Sequence, residues 1–470
     1  MSGCYILRPN SYMIWERIQG FLDKKFKDHG VRNCYFPLFV TKRALEKEEG
    51  HLEGFAAEVA WVTKSGQSDL AEPIAIRPTS ETIMYPAFAK WIHTHRDLPL
   101  LLNQWSNVVR WEFKHPTPFI RTREFLWQEG HTAHATSEDS LDFVKKMLEA
   151  YYECYKDLLA VPSVRGIKSR EETFAGADES HSVELFVDSN GRGIQGATSH
   201  KLGQNFSKMF DMNFQDEHNQ VQHAWQTSWG FSTRSIGSLI MIHSDDDGLV
   251  LPPRVADIQA VLIPIVMKDT PPALQAKLQE IANDLKTSGV RVHVDDRTNY
   301  NPGYKFNHWE LRGIPVRIEL GPKDLENSEV KVVLRYNKEK LQLPIAGLGE
   351  RLLVMLDEIH EGMYKRALDT RDARTSHAAN WKEFMEALNK KNIILAPWCT
   401  QQKCEKEVKR RSAEDSKQYI IDSGDSGEDV LTGSAKTLNV PYEQPALAEG
   451  TCCFACESAA TVTALWGRSY

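Results

Sequence analysis

The apolar pattern of this chain changes character once, at Gly248-Leu249-Val250-Leu251-Pro252-Pro253-Arg254. One sheet type cannot serve both sides of that break. Before it, strand-like text dominates and helices are few, as in an antiparallel sheet. The predicted helices there cover residues 12–27, 81–93 and 137–159. The first has Ile14, Ile18, Phe21 and Leu22 at helical spacing, Asn10 or Ser11 as its cap, and Gly30 at its end. Residues 34–40 then read as a strand carrying Pro37, which belongs at an edge or a bulge. After the break, strands at 261–266, 290–294 and 314–320 alternate with helices at 272–288 and 306–311. Such alternation predicts a small α/β domain with a mainly parallel sheet. A helix over 348–374 leads into a last region, whose stretch 405–429 is charged and poor in apolar residues. It reads as a solvated helix followed by a loop at 423–427.

A chain of 470 residues is expected to hold about three domains. The longest apolar run, 260–267, is strand-sized and far short of the ~20 residues of a membrane span. No basic stretch followed by an apolar core opens the chain, so the expected location is cytoplasmic. The net charge of −7 argues against a generally basic nucleic-acid binder but leaves room for local patches.

Two arginine-bearing segments stand about a hundred residues apart. The first runs Val109-Arg110-Trp111-Glu112-Phe113 and continues through Pro118-Phe119-Ile120-Arg121-Thr122-Arg123-Glu124-Phe125. The second is Gly230-Phe231-Ser232-Thr233-Arg234-Ser235-Ile236-Gly237. A guanidinium offers a permanently charged fork of donors to phosphate oxygens, and an aromatic ring can face a base, which together suit ATP. Five of eight cysteines fall after residue 398. Cys399-x4-Cys404 and Cys453-x2-Cys456 offer four thiolates, enough for tetrahedral zinc, with Cys452 as a competing ligand and free cysteines in a small core as the alternative.

The wording of the two arginine segments resembles motifs 2 and 3 of class II aminoacyl-tRNA synthetases. Arg77-Pro78-Thr79-Ser80-Glu81-Thr82, the segment Phe125 to His131, the segment Gly196 to Phe206 and the ending Trp466-Gly467-Arg468-Ser469-Tyr470 narrow the resemblance. They are similar to prolyl-tRNA synthetases of the eukaryotic and archaeal type, over nearly the whole chain.

The resemblance implies an α/β multidomain protein. Its expected parts are a class II antiparallel sheet with helices (1–254), an α/β anticodon-binding domain (255–365) and a small α+β zinc-binding C-terminal domain (366–470). It implies ATP-dependent activation of L-proline and its transfer to tRNA(Pro), the alternative being an inactive RNA-binding or regulatory paralogue. Arg110 and Arg234 are the implied catalytic residues. Glu112, Arg121, Thr122, Phe125, Gln195, Thr198 and Ser232 join them around ATP, with Mg2+ near Gln195. Thr79, Glu81, Trp127, Glu129, His131, Phe174 and His200, with Arg110, are implied for proline. Glu310, Arg317 and Lys323 match anticodon-reading positions, and Cys399, Cys404, Cys453 and Cys456 a structural zinc site. The first helix and strand resemble motif 1, which implies a homodimer.

The chain opens almost at Gly3-Cys4-Tyr5, where family members usually carry a further stretch, so the cover of the site from that side is expected to differ. Only about 95 residues separate Gly130 from Trp225, too few for the bacterial-type editing insertion. An apolar pocket of this kind discriminates poorly against smaller side chains such as alanine and cysteine.

Overall fold

The computed structural model describes residues 1–49, 59–111, 115–265, 272–423 and 433–470. Helix α1 (Pro9–Asp28) buries Ile14, Trp15, Ile18, Leu22 and Phe26, one stripe at a spacing of three to four residues. Its N-cap is Arg8, with Pro9 in the first turn, rather than Asn10 or Ser11. Proline fits there because that N–H would have no helical partner in any case. Ser11 Oγ instead donates back to the Arg8 carbonyl at 2.8 Å. The strand expected over 34–40 is divided into Arg32–Asn33 and Phe39–Thr41, which pair in different sheets. Pro37 lies in the gap, where its missing N–H breaks no ladder.

Five strands position the central site: β1 (Leu100–Val109), β2 (Glu124–His134), β3 (Glu179–Val187), β4 (Arg192–Gly203) and β5 (Trp225–Ser232). They pair antiparallel in the order β1-β2-β5-β4-β3. Helix α2 (Glu81–Trp91) packs beside the sheet, and α3 (Ser137–Glu153) and α4 (Arg234–His243) pack against it. The core between α1, α3 and the sheet is aromatic, with the Phe26 and Trp229 ring centroids 4.8 Å apart. A Cβ at Gly130 would lie 2.1 Å from the Trp229 ring, so only glycine lets that indole lie flat on β2.

The sheet does not end with these strands. It continues from β3 through Val164–Ile167 to Lys436–Pro441, Val462–Ser469, Ile393–Trp398 and Thr375–His377, eleven strands in all among the described residues. The last strand of the chain also pairs parallel with β4, Arg468 opposite Arg192. The C-terminal region is thus hydrogen-bonded into the sheet that bears the site.

Residues 260–344 form a separate five-stranded sheet. Val292–Val294 and Val316–Leu320 run parallel to Ala260–Pro264, and Glu329–Leu334 and Lys340–Pro344 form an antiparallel hairpin at one edge. The sheet is therefore mixed, with the parallel part where helices intervene in sequence. Helix Leu348–Ala373 follows it. Helix Gln402–Ser423 covers most of the charged stretch, while residues 424–427 of the expected loop lie outside the described residues.

The turn after α4 is pinned to the second sheet by Arg335. Its guanidinium donates to Asp245 Oδ2 at 2.8 Å and Oδ1 at 2.5 Å, and to the carbonyls of Gly248 and Glu310 at 3.2 Å each. Arg335 is buried, whereas Asp245 is 38% exposed, which screens the pair. Arg335→Ala is expected to lower unfolding stability by about 1–3 kcal/mol, because charged donors would be lost to buried carbonyls. Chemical denaturation followed by tryptophan fluorescence measures it; a change within error would show that the apolar contacts alone hold the junction.

Candidate active site

A cleft of about 260 Å³ opens over β2, β4 and β5. Arg110 and Arg234 enter it from opposite ends of the chain segments that flank the sheet. Arg110 Nε donates to the Pro78 carbonyl at 3.0 Å. Arg234 Nε donates to the Ile120 carbonyl at 3.2 Å, and its Nη1 to that of Gln195 at 3.5 Å. Both guanidinium groups are thus held by neutral acceptors. Among the described residues neither forms an ion pair. Burial first, then the positive charge of Arg110, pushes the pKa of Arg234 below its ordinary value, with Arg121 contributing further. Two guanidinium groups that face one cleft, neither ion-paired among the described residues, create local demand for an anion although Glu81, Glu129 and Glu172 also line it.

The Arg110 guanidinium also lies 5.5 Å from the Phe125 ring and 5.2 Å from that of Trp127. These contacts keep its fork in place without neutralising it. Phe125, Gln195, Thr198 and Ser232 line the same end of the cleft as the arginines. Residues three apart face opposite sides of a regular strand, but the register shift between Val183 and Glu184 of β3, opposite this stretch, breaks the alternation and lets Gln195 and Thr198 both line the cleft.

Beyond Arg110 the cleft narrows between Trp127, Phe174 and His200, with Thr79, Glu81, Glu129 and His131 beneath. Thr79 Oγ1 donates to Glu81 Oε2 at 2.5 Å. Phe174 and His200 rings lie 4.8 Å apart. Ser180 Oγ accepts from the Phe174 N–H at 3.0 Å and meets His200 Nδ1 at 2.7 Å. The hydroxyl proton is therefore assigned to that ring nitrogen. Burial, and then the positive neighbours His181, His131 and Lys168, push the His200 pKa down to about 3, so the ring is neutral at pH 7.

Glu129 is a buried hub. Its carboxylate accepts from Ser80 N at 3.2 Å, Ser80 Oγ at 2.6 Å, Gln104 Nε2 at 2.8 Å and His131 Nε2 at 3.1 Å. Tyr85 OH meets the other nitrogen of His131 at 2.9 Å. Burial opposes charge on Glu129, yet His131 with Ser80 and Gln104 outweighs it and holds the carboxyl below its ordinary value. Burial likewise opposes the imidazolium of His131, but the hydrogen bond and charge of Glu129, with Glu81 nearby, raise it. The hub fixes the Pro78–Glu81 turn that in turn positions Arg110.

Most residues implied for ATP and proline converge on this one cleft. Thr122 does not line it; the residue is buried beside a neighbouring cavity with Tyr5, Ile6 and Phe119. Arg121 is exposed and lies close enough to act on Arg234 by its charge. Glu112 lies outside the described residues. Lys168, Glu172, Ser180 and Ser228 also line the cleft, though no motif in the sequence marked them. Glu310 and Arg317 line a second cavity, of about 270 Å³, in the residue 260–344 domain. Arg317 stacks 4.2 Å from the Phe306 ring and donates to Glu319 at 3.0 Å. Lys323, on the short helix Pro322–Glu326, does not line that cavity.

The sulfur atoms of Cys399, Cys404, Cys453 and Cys456 lie within 4.8 Å of one another. Cys399 and Cys456 are 3.5 Å apart, and Cys404 and Cys453 3.7 Å. A tetrahedron of sulfurs at about 2.3 Å from zinc has edges of roughly this length. The hydrogen bond from Cys404, against burial, pulls the Cys453 thiol below its ordinary value. Cys452 is exposed, with its sulfur toward the Gly450 carbonyl.

Residues 61–243 match the family model of the tRNA synthetase class II core domain (G, H, P, S and T). Residues 259–354 match an anticodon binding domain and 381–470 the prolyl-tRNA synthetase C-terminal family. The chain is 52% identical to the cytoplasmic proline–tRNA ligase of Arabidopsis thaliana, over all of this chain and 86% of the relative. It is 47% identical to the proline–tRNA ligase of Encephalitozoon cuniculi, over all of this chain and 93% of the relative. Crystal structures of prolyl-tRNA synthetase from Cryptosporidium parvum superpose over the full chain. The complex with halofuginone and AMPPNP gives a TM-score of 0.94 at 51% identity, covering 94% of that chain. The complex with L-proline and AMP gives 0.92 at 49%, covering 91%.

The hub makes stability depend on pH in a defined window. The Glu129 contribution is complete above its ordinary 4.5 and is lost as pH falls through its lowered value. The His131 contribution is complete below its ordinary 6.5 and is lost as pH rises through its raised value. Stability from the pair is therefore greatest between those two values. Urea unfolding across about pH 3–9 should show a decline on each flank, and Glu129→Gln should flatten both. An unchanged profile in that variant would mean that other groups set the pH dependence.

Proposed function

The chain belongs to the prolyl-tRNA synthetase family of class II aminoacyl-tRNA synthetases, and we propose that it works as a proline–tRNA ligase through the cleft of Arg110 and Arg234. Its substrates are L-proline, ATP and tRNA(Pro). The observation that supports this reading most directly is the pair of guanidinium groups without counter-ions, beside a slot walled by Trp127, Phe174 and His200.

The chemistry follows from charge. A carboxylate must attack the α-phosphorus of a polyanion, and pyrophosphate must leave. No general base is required, since the nucleophile is already ionised. Arg110 lies between the two halves of the cleft, where one fork can reach both the proline carboxylate and the α-phosphate. Arg234 receives the far end of the triphosphate. Preorganised charges of this kind stabilise the transition state without reorganising during the step. Phe125 faces the adenine, with Gln195, Thr198 and Ser232 along the nucleotide. Arg121 and Glu112 are assigned to the nucleotide, Glu112 to its adenine. Mg2+ bound with ATP would neutralise phosphate charge, and Gln195 is the residue assigned to hold it. Thr79 and Glu81 accept from the secondary ammonium of proline. Glu129 and His131 hold that floor. In the second step the 3′-terminal hydroxyl of tRNA attacks the prolyl carbonyl and AMP leaves.

Glu310, Arg317 and Lys323 are assigned to the anticodon, whose guanines present acceptors to cations and donors to a carboxylate. Arg317 is already engaged with Glu319, so its reading of a base needs that pair to open or share. The four-cysteine cluster is assigned to structural zinc, with no position left for substrate. We place one domain limit near 254, where the sheet changes, and the other near 365, within the long helix Leu348–Ala373 that links the two regions. Exposed Ile6, Tyr12, Tyr35 and Phe39 beside α1 support a homodimer through this face. No helix among the described residues is long and apolar enough to cross a membrane, and the Arabidopsis relative is named cytoplasmic, which supports that location here.

Proline-dependent exchange of labelled pyrophosphate into ATP tests the first step. Arg110→Ala should lower it by about 10²–10³-fold with the melting temperature little changed, since one carbonyl hydrogen bond and two ring contacts of a half-buried side chain are lost from the fold. An active variant would remove Arg110 from the mechanism. For the metal, atomic emission should find about one zinc ion per chain, and Cys404→Ser should lower both zinc content and melting temperature. Full occupancy in that variant would point to another ligand set.

A further inference from the structure

The wall of the proline slot is fastened from outside its own domain. Residues 168–172 precede Phe174, and four contacts reach them from the C-terminal region. Lys168 Nζ donates to the Leu438 carbonyl at 2.6 Å. Ser169 Oγ donates to Glu405 Oε1 at 2.6 Å. Lys406 pairs with Glu171 at 3.1 Å, and Lys436 with Glu172 at 3.6 Å. These contacts are unequal. Lys406 is 67% exposed, and exposed pairs contribute little. Ser169 and Glu405 are buried, at 4% and 6% exposure, so that hydrogen bond cannot be exchanged for water.

The chain leads directly from this bond to the slot. Ser169 Oγ also accepts from the Glu172 N–H at 3.3 Å, and its carbonyl accepts from Thr173 Oγ1 at 2.7 Å. The turn so formed delivers Phe174, whose ring meets His200 at 4.8 Å. Glu405 follows Cys404 on the first turn of helix Gln402–Ser423, and Thr437 Oγ1 also donates to it. The carboxylate is therefore anchored beside the four-sulfur cluster while holding the catalytic domain.

We infer that Glu405, through Ser169, is a positioning residue for the Phe174 wall and sets how tightly the slot encloses the proline ring. The inference rests on the assignment of that slot to proline. It separates two effects: the wall touches the amino acid, whereas ATP lies beyond Arg110. Loosening the wall weakens proline binding, leaves ATP binding in place, and costs a ring more than the smaller side chain of alanine.

The test uses the full chain. Ser169→Ala, Glu405→Ala and Glu405→Gln are compared in pyrophosphate exchange at varied proline, alanine and ATP, with calorimetric proline binding alongside. Ser169→Ala and Glu405→Ala should each raise KM and Kd for proline about three- to tenfold, with KM for ATP within about twofold. The proline-to-alanine ratio of kcat/KM should fall in both. The double alanine variant should be no worse than the more affected single one, because both changes break the same bond. Glu405→Gln keeps an acceptor for Ser169 and should restore values near those of the unaltered chain. Should Glu405→Ala fail to fold, Ser169→Ala decides alone, as it leaves the C-terminal region intact. An unchanged proline KM in Ser169→Ala, or an ATP KM rising in step with it, would overturn the inference and leave the contact a structural one. Absence of proline-dependent exchange in the unaltered chain would instead overturn the assignment of the slot itself.

Discussion

Two like charges must face one cleft, and the rest of the site is arranged around that requirement. An arginine beside a carboxylate is easily held, but its charge is then spent on the protein. Here Arg110 and Arg234 rest on the carbonyls of Pro78, Ile120 and Gln195. A carbonyl orients a guanidinium and leaves its net charge available. The cost is the burial of charge and, after it, mutual repulsion, which together lower the pKa of Arg234. A polyphosphate relieves it, so the site binds most strongly what its own fold leaves unsatisfied.

Holding unpaired cations requires a stiff frame. The carbonyl of Pro78 is available because the next turn is tied down by Glu129, which gathers Ser80, Gln104 and His131 in one buried network. Buried networks of this kind rigidify when every member is satisfied. Beneath it, Trp229 lies flat on Gly130 and joins the aromatic core to the cleft floor. The eleven-stranded sheet extends the frame into the C-terminal region, whose last strand lies along β4. A module that is remote in sequence therefore borders the catalytic cleft.

Much of this was legible beforehand for a local reason. Helical stripes such as Ile14, Ile18 and Leu22 report burial directly, and arginine, glycine and aromatic residues in short segments report chemistry that needs close neighbours. The two arginine segments, the Thr-Ser-Glu turn and the Gly-Ala-Thr-Ser-His stretch, which lies within β4, were marked this way, and they meet in one cleft. The strand expected over 34–40 begins only at Phe39, because the Phe36 N–H bonds to the Gln104 side chain and Pro37 has no N–H to give a ladder. Lys168, Glu172 and Ser180 were missed because nothing nearby in sequence distinguishes them from surface residues. Their position in the cleft comes from pairing between β3 and β4 and from contacts with residues beyond 400.

The sequence by itself determined the family, the order of its sheet types and the identities of most side chains that line the cleft, since each depends on residue type at short spacing. Only the tertiary structure decided which of Cys452 and Cys453 turns toward Cys404, that Thr122 packs away from the cleft, and that Glu405 holds Ser169. Adjacent residues on one turn point in different directions, and pairing across more than 200 residues depends on how whole sheets join. Neither is written in local composition, because the free energy that selects it is that of burying and satisfying distant groups together.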